Sequence, residues 1–157
     1  MKFVVESKTH GNREVIIDPE DVAVVLSRSW CLSKKGEHFY VIDRKNNIYL
    51  HRLLTGAHAG KVVDHINGDS LDNRKVNLRE CTHKENIRNR CRKNKNNTSG
   101  FRGVFWAAHA KLWRAKIKVD RKTVYLGYFK DKTQAAVAYN DAALKFHGQF
   151  ASLNEVS

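Results

Sequence analysis

The stretch from Val62 to Asn89, VVDHINGDSLDNRKVNLRECTHKENIRN, constrains this chain more than any other. It gathers Asp64, His65, Asn77 and Asn86 into a segment whose apolar runs are only a few residues long. Short apolar VVDHI, a polar loop, short NLREC and a helix starting near Thr82 read as strand, loop, strand, helix. Gly68 suits the turn, and Asp69, Asp72 and Asn73 are expected to make turn and cap hydrogen bonds. Thr82 with Glu85 three residues on has the form of a capping box, which would fix the start of the helix carrying Asn86.

A neutral His beside an Asp can activate water while the Asp holds a divalent cation on a phosphate. His65 precedes Asn77 by 12 residues and Asn86 by 21. The combination D-H-x-N-G-D, D-N-R, N-L and E-N at this spacing resembles the HNH (ββα-metal) nuclease motif, in the branch with Asn at its last position. The resemblance implies His65 as general base, Asp64 and Asn86 as metal ligands, and Asn77 as the residue that braces the loop and orients the base. An Asp plus an Asn offers two hard oxygen ligands, which suits Mg²⁺, with Mn²⁺ as a substitute; zinc would want more His or Cys. His83, one helical turn before Asn86, is a decoy, and Arg88 and Arg90 beyond the helix are candidate phosphate clamps.

Charge points the same way. The formal net charge is +13, distributed as +2 over residues 1–60, 0 over 61–87, +5 over 88–100 and +6 over 101–157. A basic chain wants a polyanionic partner, here double-stranded DNA, and its neutral window is where a metal site with acidic ligands fits. No small-molecule substrate is expected, and the chain reads as a monomer in solution. Three cysteines, Cys31, Cys81 and Cys91, fit neither a CxxC pair nor a disulfide framework. No signal peptide or apolar run of membrane length is visible, so the expected location is the cytoplasm of a bacterial host, for a phage-encoded protein.

Residues 1–60 read as a small α+β module. Lys2–Glu6 and Arg13–Ile17 look like strands around a His10-Gly11-Asn12 turn, and Asp18-Pro19-Glu20-Asp21 looks like a helix start capped by Asp18, the helix covering Val22–Ser27. Phe39–Asp43 and Asn47–Leu50 look like a hairpin that leads into HRLLTG. His51, beside leucines, is expected to support the site or the core rather than to touch DNA. The module itself says little about function.

Residues 88–100, RNRCRKNKNNTSG, hold five basic residues, no acid and no large apolar side chain, and read as a linker or arm along DNA in which Arg88, Arg90, Arg92, Lys93 and Lys95 meet phosphates. FRGVFW, WRAKIKVD and TVYLGYF then look like three strands, and an Ala-rich helix runs from Asp131 to His147 with Ala135, Ala138, Tyr139, Ala142 and Phe146 on its apolar stripe. In the middle strand Trp113, Ala115, Ile117 and Val119 alternate with Arg114, Lys116 and Lys118, so one face is apolar and the other cationic. SGFRGVFW, W-R-A-K-I, YLGYF and AAVAYNDAALKFHGQFASLN together resemble the Apetala/ethylene-response-factor DNA-binding domain. That resemblance places Arg102, Lys116, Lys118 and Tyr125 at DNA-contacting positions; Arg114 is added from strand parity alone. Phe105 and Ala107 stand where the plant domains carry arginines, so the plant target sequence does not carry over.

The expected fold class is therefore α+β: a small N-terminal α+β module leading into a ββα-metal HNH motif, then a three-stranded antiparallel sheet packed on one C-terminal helix. The expected domains are residues 1–90, with the motif at 62–89, a basic linker at 91–100, and the Apetala-like unit at 101–157. The layout resembles phage homing endonucleases of the HNH type: a metal-dependent DNA endonuclease whose cutting site is chosen by the C-terminal sheet. The alternative from another class is a sequence-specific DNA-binding regulator with an inactive nuclease motif.

Overall fold

The computed structural model describes residues 1–89 and 97–156, and the chain separates into two compact units, Met1–Asn86 and Ile87–Ser157. The fold is mixed α+β, built from small antiparallel sheets.

In the first unit β1 (Lys2–Val5) pairs with β2 (Arg13–Ile16), Lys2 opposite Ile16 and Val5 opposite Arg13. Pro19–Asp21 form a 3₁₀ turn that runs into the five-residue helix α1 (Val22–Leu26). Asp18 stands at the expected cap position but makes no side-chain cap bond there; its carboxylate instead accepts the backbone N–H of Lys75 at 2.7 Å. The reason is competition: a 3₁₀ turn opening on Pro leaves few N–H groups to cap, and the distant loop supplies one.

A second sheet follows in the order β3 (Cys31–Lys35), β4 (His38–Asp43), β5 (Ile48–Tyr49). Strand β3 was hidden in the sequence because CLSKK carries only one strongly apolar residue, Leu32, which is buried. One face of this sheet sends Leu32 and Val41 into a core with Val5, Val15, Ile17, Val25 and Leu50, against which Trp30, Phe39, Leu54 and Leu71 also pack. Helix α2 (Leu50–Thr55) buries Leu50 and His51 and stops at Gly56, whose φ of 62° is the left-handed conformation that ends helices.

The catalytic-looking stretch forms β6 (Val62–His65), β7 (Leu78–Cys81) and α3 (His83–Arg88), with β6 and β7 antiparallel so that Asp64 faces Arg79 and His65 faces Leu78. The capping box forms as read: Glu85 accepts from the Thr82 backbone N–H (2.8 Å) and hydroxyl (2.7 Å), and the Glu85 N–H returns to the Thr82 hydroxyl (3.3 Å). Such a box is worth about 1 kcal/mol, which matters for a helix of six residues.

The second unit is a three-stranded antiparallel sheet, β8 (Val104–Ala107), β9 (Leu112–Val119) and β10 (Lys122–Phe129), with β9 in the centre, covered by α4 (Lys132–His147). A bulge between Tyr125 and Gly127 shifts the β9–β10 register. The apolar face of β9 packs as its period of two predicts, with Ala115 and Ile117 buried. The helix is rotated from the expected stripe. Ala135, Ala136, Tyr139, Ala142 and Ala143 are buried, whereas Ala138 is only partly covered and Phe146 is exposed. The alanines spread over about half the circumference of this helix, so its own pattern could not specify which edge of that arc meets the sheet. Gly103 sits where a side chain would collide with the Tyr139 ring, and its φ of 73° also requires glycine.

Candidate functional site

His65 ends β6 and Asp64 precedes it, so strand alternation sends the two side chains to opposite faces of the β6–β7 ribbon. Both are 6% exposed.

On the Asp64 face, Arg79 lies directly across the ribbon and donates from Nε (3.0 Å) and Nη2 (2.7 Å) to Asp64 Oδ2. Cys81 shares this face. Burial pushes its thiol up to about 11, the negative charge of Asp64 adds to the rise, and a hydrogen bond from the Asn86 backbone N–H counters it in part. The Asn86 backbone N–H thus reaches the Cys81 thiol, and Thr82 with Glu85 fixes the start of the helix that carries Asn86. Among the described residues no group of three His, Cys, Asp or Glu could hold a metal by itself. A pair of oxygen donors fits a cation such as Mg²⁺, which keeps waters and shares phosphate oxygens, better than one needing a full protein cage. Arg79 is the competitor for Asp64, and the sequence reading missed it; only the strand register shows it.

On the other face, the His65 ring meets the edge of His51 at 5.3 Å between centroids and lies 6.3 Å from Tyr40. Tyr40 lies 5.8 Å from His51, and Tyr49 stacks on His51 at 5.5 Å. Burial lowers the His51 pKa to about 3, helped by His65, Arg52 and Lys35, so this ring is neutral at working pH. Burial also lowers the His65 pKa, opposed by a hydrogen bond with the Asn73 side chain and by the charges of Asp64, Asp69 and Asp72. A neutral imidazole is in the protonation state a general base needs.

Asn77 acts on the loop backbone. Its side chain accepts the Asn67 N–H (3.0 Å) and donates to the Asp72 carbonyl (2.7 Å), tying together the ends of the loop, and the contact to His65 comes from Asn73. Asp72 is fully engaged by Arg74, through Nε at 2.8 Å and Nη2 at 2.7 Å, and by the Asn67 amide at 3.0 Å. The Arg74 contacts hold its carboxyl below the usual range. Asp69 accepts the Leu71 N–H at 3.0 Å. These loop groups therefore make turn bonds, as their residue types suggested.

The loop is clamped by the N-terminal module. Ile16 donates to the Leu71 carbonyl (2.9 Å) and accepts from the Asn73 N–H (2.7 Å); Ser70 Oγ donates to the Phe39 carbonyl (2.7 Å); Lys75 Nζ pairs with Asp21 (2.9 Å). Residues 1–60, from which no role could be read, hold the loop that orients His65.

In the second unit Arg114, Lys116, Lys118 and Tyr125 share the sheet face opposite α4 with Phe105, by the register that sets Arg114 against Phe105 and Lys116 against Tyr125. Lys116 Nζ lies 4.6 Å from the Phe105 ring and the Arg114 guanidinium 5.5 Å from Tyr125, which is 65% exposed. Arg102 lines one cavity of about 360 Å³ with Phe105, Lys116, Lys118 and Thr123, and its backbone is bracketed by Asn154, which accepts its N–H (2.6 Å) and donates to its carbonyl (3.1 Å). Trp113 packs on the core, while Trp106 meets it edge-on at 5.2 Å and is 49% exposed. Arg88 closes α3, and Arg90, Arg92, Lys93 and Lys95 lie outside the described residues. His83 is exposed at the start of α3. No helix among the described residues is long and apolar enough to cross a membrane.

Comparison with known proteins falls on the same residues. A family model described as HNH endonuclease matches residues 49–88. Protein 3.8 of Escherichia phage T7 is similar to this chain, 32% identical over 121 residues that cover 76% of the chain and 98% of the relative.

Proposed function

This chain belongs to the family of Protein 3.8 of phage T7 and carries an HNH endonuclease domain at residues 49–88, and from that premise we propose that it is a metal-dependent DNA endonuclease of the homing type. What supports this most is the buried His65 that ends β6, with Asp64 just before it in the chain and Asn86 on the capped helix that follows β7.

In this reading His65 takes a proton from water, the resulting oxygen attacks the phosphorus, and the bond from phosphorus to the leaving oxygen breaks. Asp64 and Asn86 would hold the divalent metal, Mg²⁺ before Mn²⁺, which when bound neutralises charge on the phosphate and leaving oxygen. Asn73 fixes the orientation of the His65 ring, and Asn77 keeps the loop closed so that Asn73 stays in place. His51 and Tyr40 exclude water from the back of the ring, keeping it neutral.

Site choice is assigned to the second unit, through the sheet face carrying Arg102, Arg114, Lys116, Lys118 and Tyr125, since a three-stranded sheet can enter a major groove with its cations on phosphates. The basic segment with Arg88, Arg90, Arg92, Lys93 and Lys95 adds phosphate contacts. The substrate is duplex DNA in the host cell, and the working form is a monomer. The rival is a DNA-binding regulator with an inactive motif.

A supercoiled-plasmid assay separates the two. Wild type is expected to nick or linearise plasmid with Mg²⁺ and not with EDTA, and His65→Ala is expected to bind equally but not cut. Binding without cleavage under any divalent metal would hand the function to the regulator reading.

A further inference from the structure

The sheet β3–β4–β5 has two faces, and the hydrophobic cluster built on Leu32 and Val41 lies against one of them. Register places Ser33 opposite Tyr40, Lys35 opposite His38 and Ile42 opposite Tyr49, so Ser33, Lys35, His38, Tyr40 and Tyr49 share the other face. That face is the one against which the His51 and His65 rings lie, through Tyr40 and Tyr49. It offers hydroxyls, an imidazole and an ammonium, and its strand positions hold no carboxylate.

Lys35 is the centre of this face. Its ammonium lies 4.6 Å from the Tyr49 ring and 6.0 Å from the Tyr40 ring. Its charge is felt at His51, one ring away from His65. The side chain is exposed, and among the described residues it forms no ion pair, whereas Lys2, Arg28, Arg74, Lys75 and Arg79 each pair with an acid. A cation seated on two aromatic rings is pre-organised, because its long stem has less freedom left to lose on binding. It is also outside residues 49–88, where the HNH model matches.

We propose that Lys35, steadied by Tyr49 and Tyr40, contacts a backbone phosphate of the DNA strand beside the one that His65 attacks. The N-terminal sheet then does more than clamp the loop: it holds the substrate backbone against the reaction centre. The inference rests on reading His65 as the base of a nuclease, but the contact can be measured without turnover.

The experiment is a fluorescence-anisotropy titration of the full chain on duplex DNA in EDTA across a range of NaCl concentrations. One lost phosphate contact reduces the slope of log affinity against log salt by about 0.9, and Lys35→Met is expected to do this while weakening binding roughly 3- to 10-fold. Lys35→Arg should restore the slope, and Tyr49→Leu, which removes the ring under the ammonium, should keep the slope with a loss of about 2- to 5-fold. An unchanged melting curve for Lys35→Met shows that the exposed side chain left the fold alone. With Mg²⁺, Lys35→Met should raise KM and leave kcat within about two-fold, the signature of uniform ground-state and transition-state binding. A slope equal to wild type in Lys35→Met overturns the proposal, and so does a fall in kcat with KM unchanged. If wild type binds but never cuts, the nuclease reading fails while the salt slope still decides the Lys35 contact.

Discussion

Replacing Arg79 by Met tests whether Asp64 depends on its cross-strand partner. The Arg79 and Asp64 side chains are 13% and 7% exposed, and two N–H groups converge on one carboxylate oxygen at 3.0 and 2.7 Å. Removing one member of such a buried pair leaves the other charge desolvated and deprived of that partner, a loss of about 3–5 kcal/mol. For a unit spanning Met1–Asn86, each kcal/mol moves the melting temperature by roughly 4–8 °C, so a drop of at least ~12 °C is expected. Hydrogen exchange followed by mass spectrometry over residues 62–81 would locate the loss in β6 and β7. The double variant Asp64→Asn/Arg79→Met should be less damaged than the sum of the single variants by about 1–3 kcal/mol, because the buried charge is gone. A divalent cation should restore part of the lost stability in Arg79→Met, about 2.7 kcal/mol at a hundred times its Kd, since the competitor for Asp64 has been removed. A loss below about 1 kcal/mol, or no response to the cation, would refute the view that Arg79 neutralises a buried ligand carboxylate.

Two further outcomes follow from packing and burial. The folded His51 pKa of about 3 lies below its ordinary 6.5, so between those values the unfolded chain binds the extra proton and stability falls as pH drops; by pH 5 the loss from His51 is about 2 kcal/mol. Denaturant melts of wild type and His51→Phe between pH 7 and 4 check this: the variant should show a shallower slope, keeping only the share of His65, whose pKa is lowered in the same sense. Gly103→Ala places a Cβ 2.2 Å from the Tyr139 ring and 2.6 Å from the Lys116 carbonyl at a φ of 73°, and overpacking plus a left-handed backbone should destabilise the second unit by about 3 kcal/mol. Faster exchange in β8–β10 with β6 and β7 unaffected is the expected pattern.

What could be read from residues alone followed short-range rules. Strand, loop, strand and helix over 62–89 were legible because two short apolar runs flank a Gly- and Asp-rich loop and Thr82 and Glu85 announce a helix. The two faces of β9 were legible because alternation is local to one strand. The stripe of α4 was not: its alanines spread over about half the helix circumference, and which edge of that arc is buried depends on where the bulged sheet presents Leu126 and Val104. Strand β3 was missed because its strand character comes from pairing with β4, and Asp18 was assigned to its own helix although a loop 57 residues on offered the better donor.

The same division runs through the site. Sequence by itself determined which chemical groups are present and near one another along the chain: a His after an Asp on one strand, and an Asn on the capped helix that follows. It could do so because these groups lie within a single short supersecondary unit, where spacing and periodicity decide geometry. The tertiary structure alone decided what surrounds them: Arg79 across the ribbon on Asp64, Asn73 on His65, and His51, Tyr40 and Tyr49 behind the ring. Arg79 comes from strand register, Asn73 from the way the loop folds back, and Tyr40, Tyr49 and His51 from a sheet and helix earlier in the chain. Register and long-range packing are set by the burial of the whole core at once, and no local pattern records them.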